Sequence, residues 1–272
     1  MQTNKRVYPS ERKPSKWLSY LLLFLSAVVI FSGLASRRAD QPTIEPLATA
    51  TPVPLEDGFD ETRETREITL GRCSWHALQL GAFEQESSAN ELAAQYQKRG
   101  AAGFVWQDSR YRVLAAVYPL REDAQRVREQ LNERHSVDSY LYEITLPEIH
   151  LRLGGMKGQL DILEAGFLHA EDAVAGLQEL SVILDRQEIS NEEAIARLMN
   201  QKEQLDLVAL RLQQRFTQPR NAAVQQLIDF FRDYSAFVES LNASDSSAAL
   251  GQRVKYQTLR SIRLLWQLRD SL

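Results

Sequence analysis

The chain has 272 residues, of which 44% are apolar and 25% charged, so it can hold one or two globular domains and is not disordered throughout. Its 36 acidic residues outnumber its 32 basic residues, and this balance gives no general attraction to nucleic acid. Cys73 is the only cysteine, and none of the four histidines stands at HxxxH or HExxH spacing. The sequence therefore predicts no intrachain disulfide, no metal site and no cofactor.

The N-terminus has the pattern of a membrane anchor. Residues 1–16 hold five basic side chains and one acidic one, and the next segment, WLSYLLLFLSAVVIFSGLA over 17–35, holds no charge. At 1.5 Å per residue, about 18 residues span ~27 Å, which is close to the hydrocarbon thickness of a bilayer. The basic residues before it predict a cytoplasmic tail and a single-pass protein whose bulk lies outside the cytoplasmic membrane.

A cleaved signal peptide is the alternative, because small residues at 33 and 35 suit a signal peptidase. In either case the rest of the chain is exported. Residues 36–71 then contain four prolines and few large apolar side chains, which predicts a disordered Pro/Thr-rich linker. Such a tether lets the next domain stand away from the membrane.

Residues 72–147 have the pattern of a compact α+β domain. WHALQLGAF alternates like a strand, SSANELAAQYQKRG follows as a helix, and AGFVWQ and YRVLAAVY form a hairpin around Asp108-Ser109. A second helix, REDAQRVREQLNERH, and a last strand, SYLYEITL, complete the order β-α-β-β-α-β. This order predicts a ferredoxin-like sandwich whose two helices cover one face of a four-stranded sheet and leave the other face open.

Strand alternation assigns side chains to the two faces of this sheet. Leu78 and Leu80 should face the helices, which places Gln79 on the open face. Arg110 and Arg112 should also point outward, and such donors beside flat apolar surface suit a carbohydrate. The position of Trp106 depends on the hairpin: a two-residue turn directs it toward the helices, and a longer turn directs it outward.

LQLGAF, YRVLAAVYPLREDA and the final aromatic strand together resemble the sporulation-related repeat (SPOR) domain, over about residues 74–145. The resemblance implies binding of peptidoglycan, especially of glycan strands stripped of their peptides, through the open sheet face. It also implies recruitment to the division septum. Members of this family commonly have a short cytoplasmic tail, one membrane span and a linker, as predicted here.

The resemblance also indicates which residues contact the glycan. Gln79 is the first candidate, and Arg110 and Tyr140 match positions that hold large, often aromatic, residues in similar domains. Arg112 shares the face of Arg110 by parity. Trp106 joins this set if its ring stacks on sugar and belongs to the core if it packs inward.

Residues 148–272 have the pattern of long helices. Apolar residues at three- and four-residue spacing recur in four stretches of roughly 25 residues, which predicts an antiparallel helical bundle. Its role would be that of a scaffold or of a module for a protein partner. The fourth stretch holds five basic residues that could meet acidic wall polymers or a partner, or could form an ordinary solvated face: Arg253, Lys255, Arg260, Arg263 and Arg269.

No enzyme motif stands out, since the chain has no Gly-rich phosphate loop, no GxSxG elbow and no Cys/His nucleophile arrangement. The sequence thus predicts a non-enzymatic, membrane-anchored peptidoglycan-binding protein of cell division, sporulation or wall remodelling. A cell-wall lytic enzyme and a secreted wall-associated scaffold are the alternatives. An RNA-binding module shares the same element order, but the third strand lacks the aromatic-glycine pattern that such modules use to stack bases.

Overall fold

The computed structural model describes residues 62–217 and 221–272. The predicted cytoplasmic tail (1–16), the predicted transmembrane helix (17–35) and most of the predicted linker lie outside these residues. Within them, no helix combines the length and the apolar character needed to span a bilayer.

The described residues form six strands and six helices. In chain order these are β1 (Arg63–Leu70), β2 (Cys73–Phe83), α1 (Glu86–Gln97), β3 (Phe104–Gln107), β4 (Tyr111–Tyr118), α2 (Arg121–His135), β5 (Tyr140–Leu146), β6 (Ile149–Met156), α3 (Lys157–Asp185), α4 (Asn191–Arg215), α5 (Ala222–Glu239) and α6 (Ser247–Asp270).

The ferredoxin-like sheet is confirmed. Its four strands are antiparallel in the order β3-β4-β2-β5. On one face Leu78 and Ala115 pack against Ala124 of α2, and Val113 packs against Ala89 and Ala93 of α1. The helices therefore lie on the face that strand alternation assigns to the leucines.

Two segments correct the predicted boundaries. Residues 63–70, predicted as the end of the linker, form β1, and residues 149–156, predicted as the start of the bundle, form β6. The two strands pair with each other in the register that β2 and β5 continue: Leu70 pairs with Ile149, and three residues further Cys73 pairs with Leu146. The tract RETREITL buries Ile68 and Leu70 and exposes Glu67 and Thr69, which is strand alternation in a charge-rich segment.

The C-terminal helices form a four-helix bundle, as predicted. Neighbouring helices are joined by short loops, and the backbone of α3 approaches α4 in antiparallel order, with Gly158 beside Arg215 and Gly176 beside Gln201. Ser190 caps α4 by accepting a hydrogen bond from the backbone N–H of Glu193. The largest fully buried side chains lie on α5: Phe230, Phe231 and Tyr234.

The sheet face predicted to be open is covered by this bundle. Trp75, Phe104 and Trp106 are at most 8% exposed and belong to one apolar cluster with the bundle helices. The indole Nε1 of Trp75 donates to Oε1 of Gln178 on α3 at 3.3 Å, and the Phe104 ring meets the Tyr256 ring of α6 edge-on at 5.2 Å. Strand alternation identified correctly which face points away from α1 and α2. The apolar surface of the bundle is buried against that face, because apolar surfaces of packed layers are covered by one another.

Helix α6 crosses this face from one edge of the sheet to the other, and polar side chains fix its position on backbone carbonyls. At the β3 side Gln252 donates to the carbonyl of Ala102 at 3.3 Å and Lys255 to that of Gly100 at 3.4 Å. At the opposite side Arg269 donates to the carbonyls that flank β2 and β5, at 2.7 Å for Gly71 and 3.0 Å for Pro147.

The basic side chains of α6 are therefore engaged within the chain rather than presented to a partner. Arg253 pairs with Asp245, Lys255 with Asp185, Arg260 with Asp233 and Arg269 with Glu171, while Arg263 donates to the carbonyl of Gln107. Neither alternative from the sequence, a face for a partner or an ordinary solvated face, describes these contacts. A helical pattern shows which residues share a face, but it does not show which acids and carbonyls other elements bring to that face.

We expect Arg269→Ala to lower the free energy of unfolding by about 3 kcal/mol, because it removes a buried guanidinium that bonds two strand-end carbonyls and Glu171. The matched control is Arg232→Ala, which removes an exposed ion pair with Asp229 within α5 and should change the free energy of unfolding by less than about 0.5 kcal/mol. Urea unfolding followed by circular dichroism measures both. Equal unfolding midpoints for the two variants would mean that Arg269 does not lock the bundle to the sheet.

Candidate functional site

The uncovered part of the sheet lies at the end where β5 begins and β3 turns into β4. Tyr140 opens β5 and pairs with Gln79 of β2, while Arg112 is the second residue of β4. The β2–β4 ladder shifts register on both sides of Gln79, an irregularity of the kind that re-aims side chains. We call the side chains that gather here the sheet-end patch: Gln79, Asp108, Arg112, Tyr140 and Tyr142.

Asp108 is the centre of the hydrogen bonds in the sheet-end patch. Its carboxylate accepts from Nε of Arg112 at 2.8 Å, from the Tyr142 hydroxyl at 2.8 Å and from the backbone N–H of Arg110 at 2.9 Å. Arg112 also donates to Oε1 of Gln79 at 2.9 Å, and its guanidinium lies 4.7 Å from the centre of the Tyr142 ring. Five strand and turn positions are thus held in one network.

The network fixes the charge of its members. Burial disfavours ionisation of Asp108, but the hydrogen bonds from Arg112, from the Arg110 backbone and from Tyr142 outweigh it and lower the pKa of this carboxyl to about 2. The bond to Asp108 raises the pKa of Arg112. Burial and the hydrogen bond to Asp108 raise the pKa of Tyr142 to about 12. The site consequently holds a permanent ion pair beside a neutral phenol near neutral pH.

Gln79 occupies the position that parity predicted. Its side chain is directed away from α1 and α2 and is partly exposed, and the bond from Arg112 uses its carbonyl oxygen rather than its amide N–H groups. Tyr140, its cross-strand partner, is 64% exposed. An amide donor thus lies next to an aromatic ring that is open to solvent.

The remaining predicted residues have different positions. The hairpin loop has three residues, so Trp106 pairs with Arg112 and points away from α1 and α2. Arg263 of α6 nevertheless covers it, Trp106 is only 3% exposed, and its place is in the core rather than against a sugar. Arg110 lies in that loop with an exposed side chain, at the margin of the patch rather than on the strand face.

Sequence reasoning missed Asp108 and Tyr142. Tyr142 follows Tyr140 by two residues in the same strand, so alternation alone places both on one side and could have identified it. Asp108 carries the signal of a turn residue, and its long-range bond to Tyr142 depends on how β3 and β5 are spaced across the sheet. No local pattern encodes that distance.

This arrangement is suited to binding. The carboxylate of Asp108 has a lowered pKa, so it acts as a hydrogen-bond acceptor rather than as an acid. Guanidinium and amide donors, a carboxylate acceptor and an exposed ring are the groups that recognise sugar hydroxyls and the apolar faces of sugar rings.

Comparison with protein families gives a match between residues 76–143 and the family model of the SPOR domain. A search of curated proteins and of solved structures with this chain found no match. The matched residues run from β2 to β5 and include every member of the sheet-end patch. SPOR domains are binding modules rather than catalytic ones, and the domain implies peptidoglycan binding. The middle of this chain, residues 76–143, is a SPOR domain.

Proposed function

We propose that the protein binds the glycan strands of peptidoglycan through the sheet-end patch, outside the cytoplasmic membrane to which its N-terminal segment anchors it, during cell division or wall remodelling. The observation that carries this proposal is the pairing of Gln79 with the exposed ring of Tyr140 inside the SPOR match. The uncharged segment at 17–35 supports the anchor, and the SPOR domain supports the ligand.

The bundle limits the binding surface to one end of the sheet. Fully burying a large apolar side chain is worth about 1.5 to 3 kcal/mol, so exposing Trp75, Phe104 and Trp106 together would cost roughly 5 to 9 kcal/mol. Contacts with a hydrated sugar would return only part of this energy. The covered face therefore stays covered, and the glycan binds at the part that α6 leaves accessible.

The alternative of a lytic enzyme finds no support in the patch. Hydrolysis of a glycosidic bond needs a carboxyl group with a raised pKa to protonate the leaving oxygen. Asp108 is the only carboxylate in the sheet-end patch, and its pKa is lowered to about 2. A binding role fits this group, whereas an acid role does not.

The fold also separates the start of β1 from the patch. The described chain begins beside α3, where the backbone N–H of Lys157 donates to the carbonyl of Thr62, and β1 and β2 then lead from Arg63 to Gln79. At ~3.3 Å per residue, this path is at most roughly 50 Å long. An anchored chain would enter at one end of the strands and present the glycan site at the other.

We expect Gln79→Ala in the full-length protein, purified in detergent, to weaken cosedimentation with purified sacculi by about five- to tenfold, since one hydrogen bond is worth about 1 kcal/mol or more. Gln125→Ala is the matched control, because it removes an amide from α2 on the opposite side of the sheet. Thermal unfolding checks that both variants fold. Equal pelleting of Gln79→Ala and the parent would exclude the sheet-end patch as the site.

We expect binding to sacculi stripped of peptides to change by less than about twofold between pH 5 and pH 8. Folding lowers the pKa of Asp108, so this carboxylate is ionised above the ordinary aspartate pKa of about 4. The hydrogen-bond network that it organises is lost only as the pH falls toward about 2. Cosedimentation across a pH series measures this. A midpoint near pH 6 would show that another group controls binding.

A further inference from the structure

Helix α6 presents a partly exposed aromatic side chain next to the SPOR domain. The guanidinium of Arg263 lies between two indole rings, 5.0 Å from the centre of Trp106 and 4.8 Å from the centre of Trp266. Among the tryptophans that the structure describes, Trp75 and Trp106 are buried, whereas Trp266 reaches the surface. The Trp266 ring packs on the guanidinium of Arg263, which donates a hydrogen bond to the carbonyl of Gln107 at 3.0 Å.

These side chains continue the sheet-end patch toward the bundle. Trp106 is the cross-strand partner of Arg112, and Arg112 lies over the ring of Tyr142. One row of rings and guanidinium groups results: Trp266, Arg263 and Trp106 are stacked in succession, and Arg112, paired with Trp106 across the strands, stacks on Tyr142. Each guanidinium lies within 5.0 Å of a ring centre. The row connects the last helix of the chain with the first half of β5.

Trp106, in the middle of this row, is buried, so only the two ends of the row reach the surface. Tyr142 and the neighbouring Tyr140 lie on β5, and Trp266 lies on α6, where Arg263 links it to the β3 side. With strands ~4.8 Å apart, β3 and β5 are separated by about 14 Å, which exceeds one sugar ring. A ligand that contacts both ends is therefore an oligosaccharide or a polymer, with the Trp266 ring available for an apolar sugar face.

We propose that Trp266, oriented by Arg263, forms the second wall of the glycan site, so that the SPOR domain and the bundle bind the sugar polymer together. This inference rests on the proposed function of the sheet-end patch. It gives the bundle a part in recognition in addition to its role in covering the sheet. Trp266 contacts the ligand, and Arg263 is a positioning residue that acts through it.

The first test is cosedimentation of the full-length protein in detergent with sacculi stripped of peptides. We expect Trp266→Ala to weaken binding by about five- to tenfold, because aromatic side chains at a binding site are frequent hot spots. Phe237→Ala is the control, because it truncates a partly buried aromatic residue on α5 and should leave binding unchanged. Binding by Trp266→Ala equal to that of the parent would overturn the inference.

The second test uses a variant that keeps an aromatic ring at position 266. Acrylamide quenching of tryptophan fluorescence is measured in the parent and in Trp266→Phe, with and without glycan chains released from sacculi by an amidase. We expect the glycan to reduce quenching in the parent and to have a much smaller effect in Trp266→Phe. Quenching of the parent that the glycan does not change would overturn the inference.

The two proposals fail in distinguishable ways. Weakened binding by Gln79→Ala together with normal binding by Trp266→Ala would keep the sheet-end patch and remove the wall on α6. Normal binding by both variants would remove both proposals. Arg263→Lys keeps the charge but loses the flat guanidinium between the rings, so weakened binding with an unchanged thermal midpoint would support its positioning role.

Discussion

The docking of α6 across one face of the SPOR sheet is the interaction on which the rest of the structure depends. Phe104 and Trp106 pack against α6 and Trp75 against α3, and polar side chains of α6 bond carbonyls before β3 and at the ends of β2 and β5. Apolar burial supplies most of the energy, whereas the hydrogen bonds to backbone select one position for the helix. Sheet and bundle consequently share one apolar cluster and are not two independent domains joined by a linker.

This docking determines where a ligand can bind. A four-stranded sheet with helices on one side would offer its whole second face to a flat or extended partner. Here the centre of that face belongs to the core, and only the end near Gln79 and Tyr140 remains polar and accessible. The hydrogen bonds around Asp108 hold this end in shape without help from a ligand, so little ordering is required on binding. A small contact area is offset in this way by a site that is already organised.

The sequence predicts the pieces of this structure better than their assembly. Strand alternation places Gln79 on the correct side, because a period of two leaves no other choice once the leucines face the helices. Alternation cannot say what covers a face, since that depends on contacts such as Trp75 with Gln178, over a hundred residues apart. The sheet face on which Trp106 lies depended on whether the hairpin loop had two or three residues. The strand β1 was not recognised because its exposed positions carry the charges typical of a linker.

The paired strands that flank the SPOR domain join the two parts into one geometry. Pairing of β1 with β6 continues in the same register into β2 and β5, and the break between them is bridged by Arg269 through Gly71 and Pro147. A hinge at this point would need to break these bonds and expose a guanidinium whose side chain is 3% exposed. The direction of the sheet-end patch relative to the start of β1 is therefore set by the fold. In an anchored chain, the segment before residue 62 alone would then determine how far from the membrane the glycan is bound.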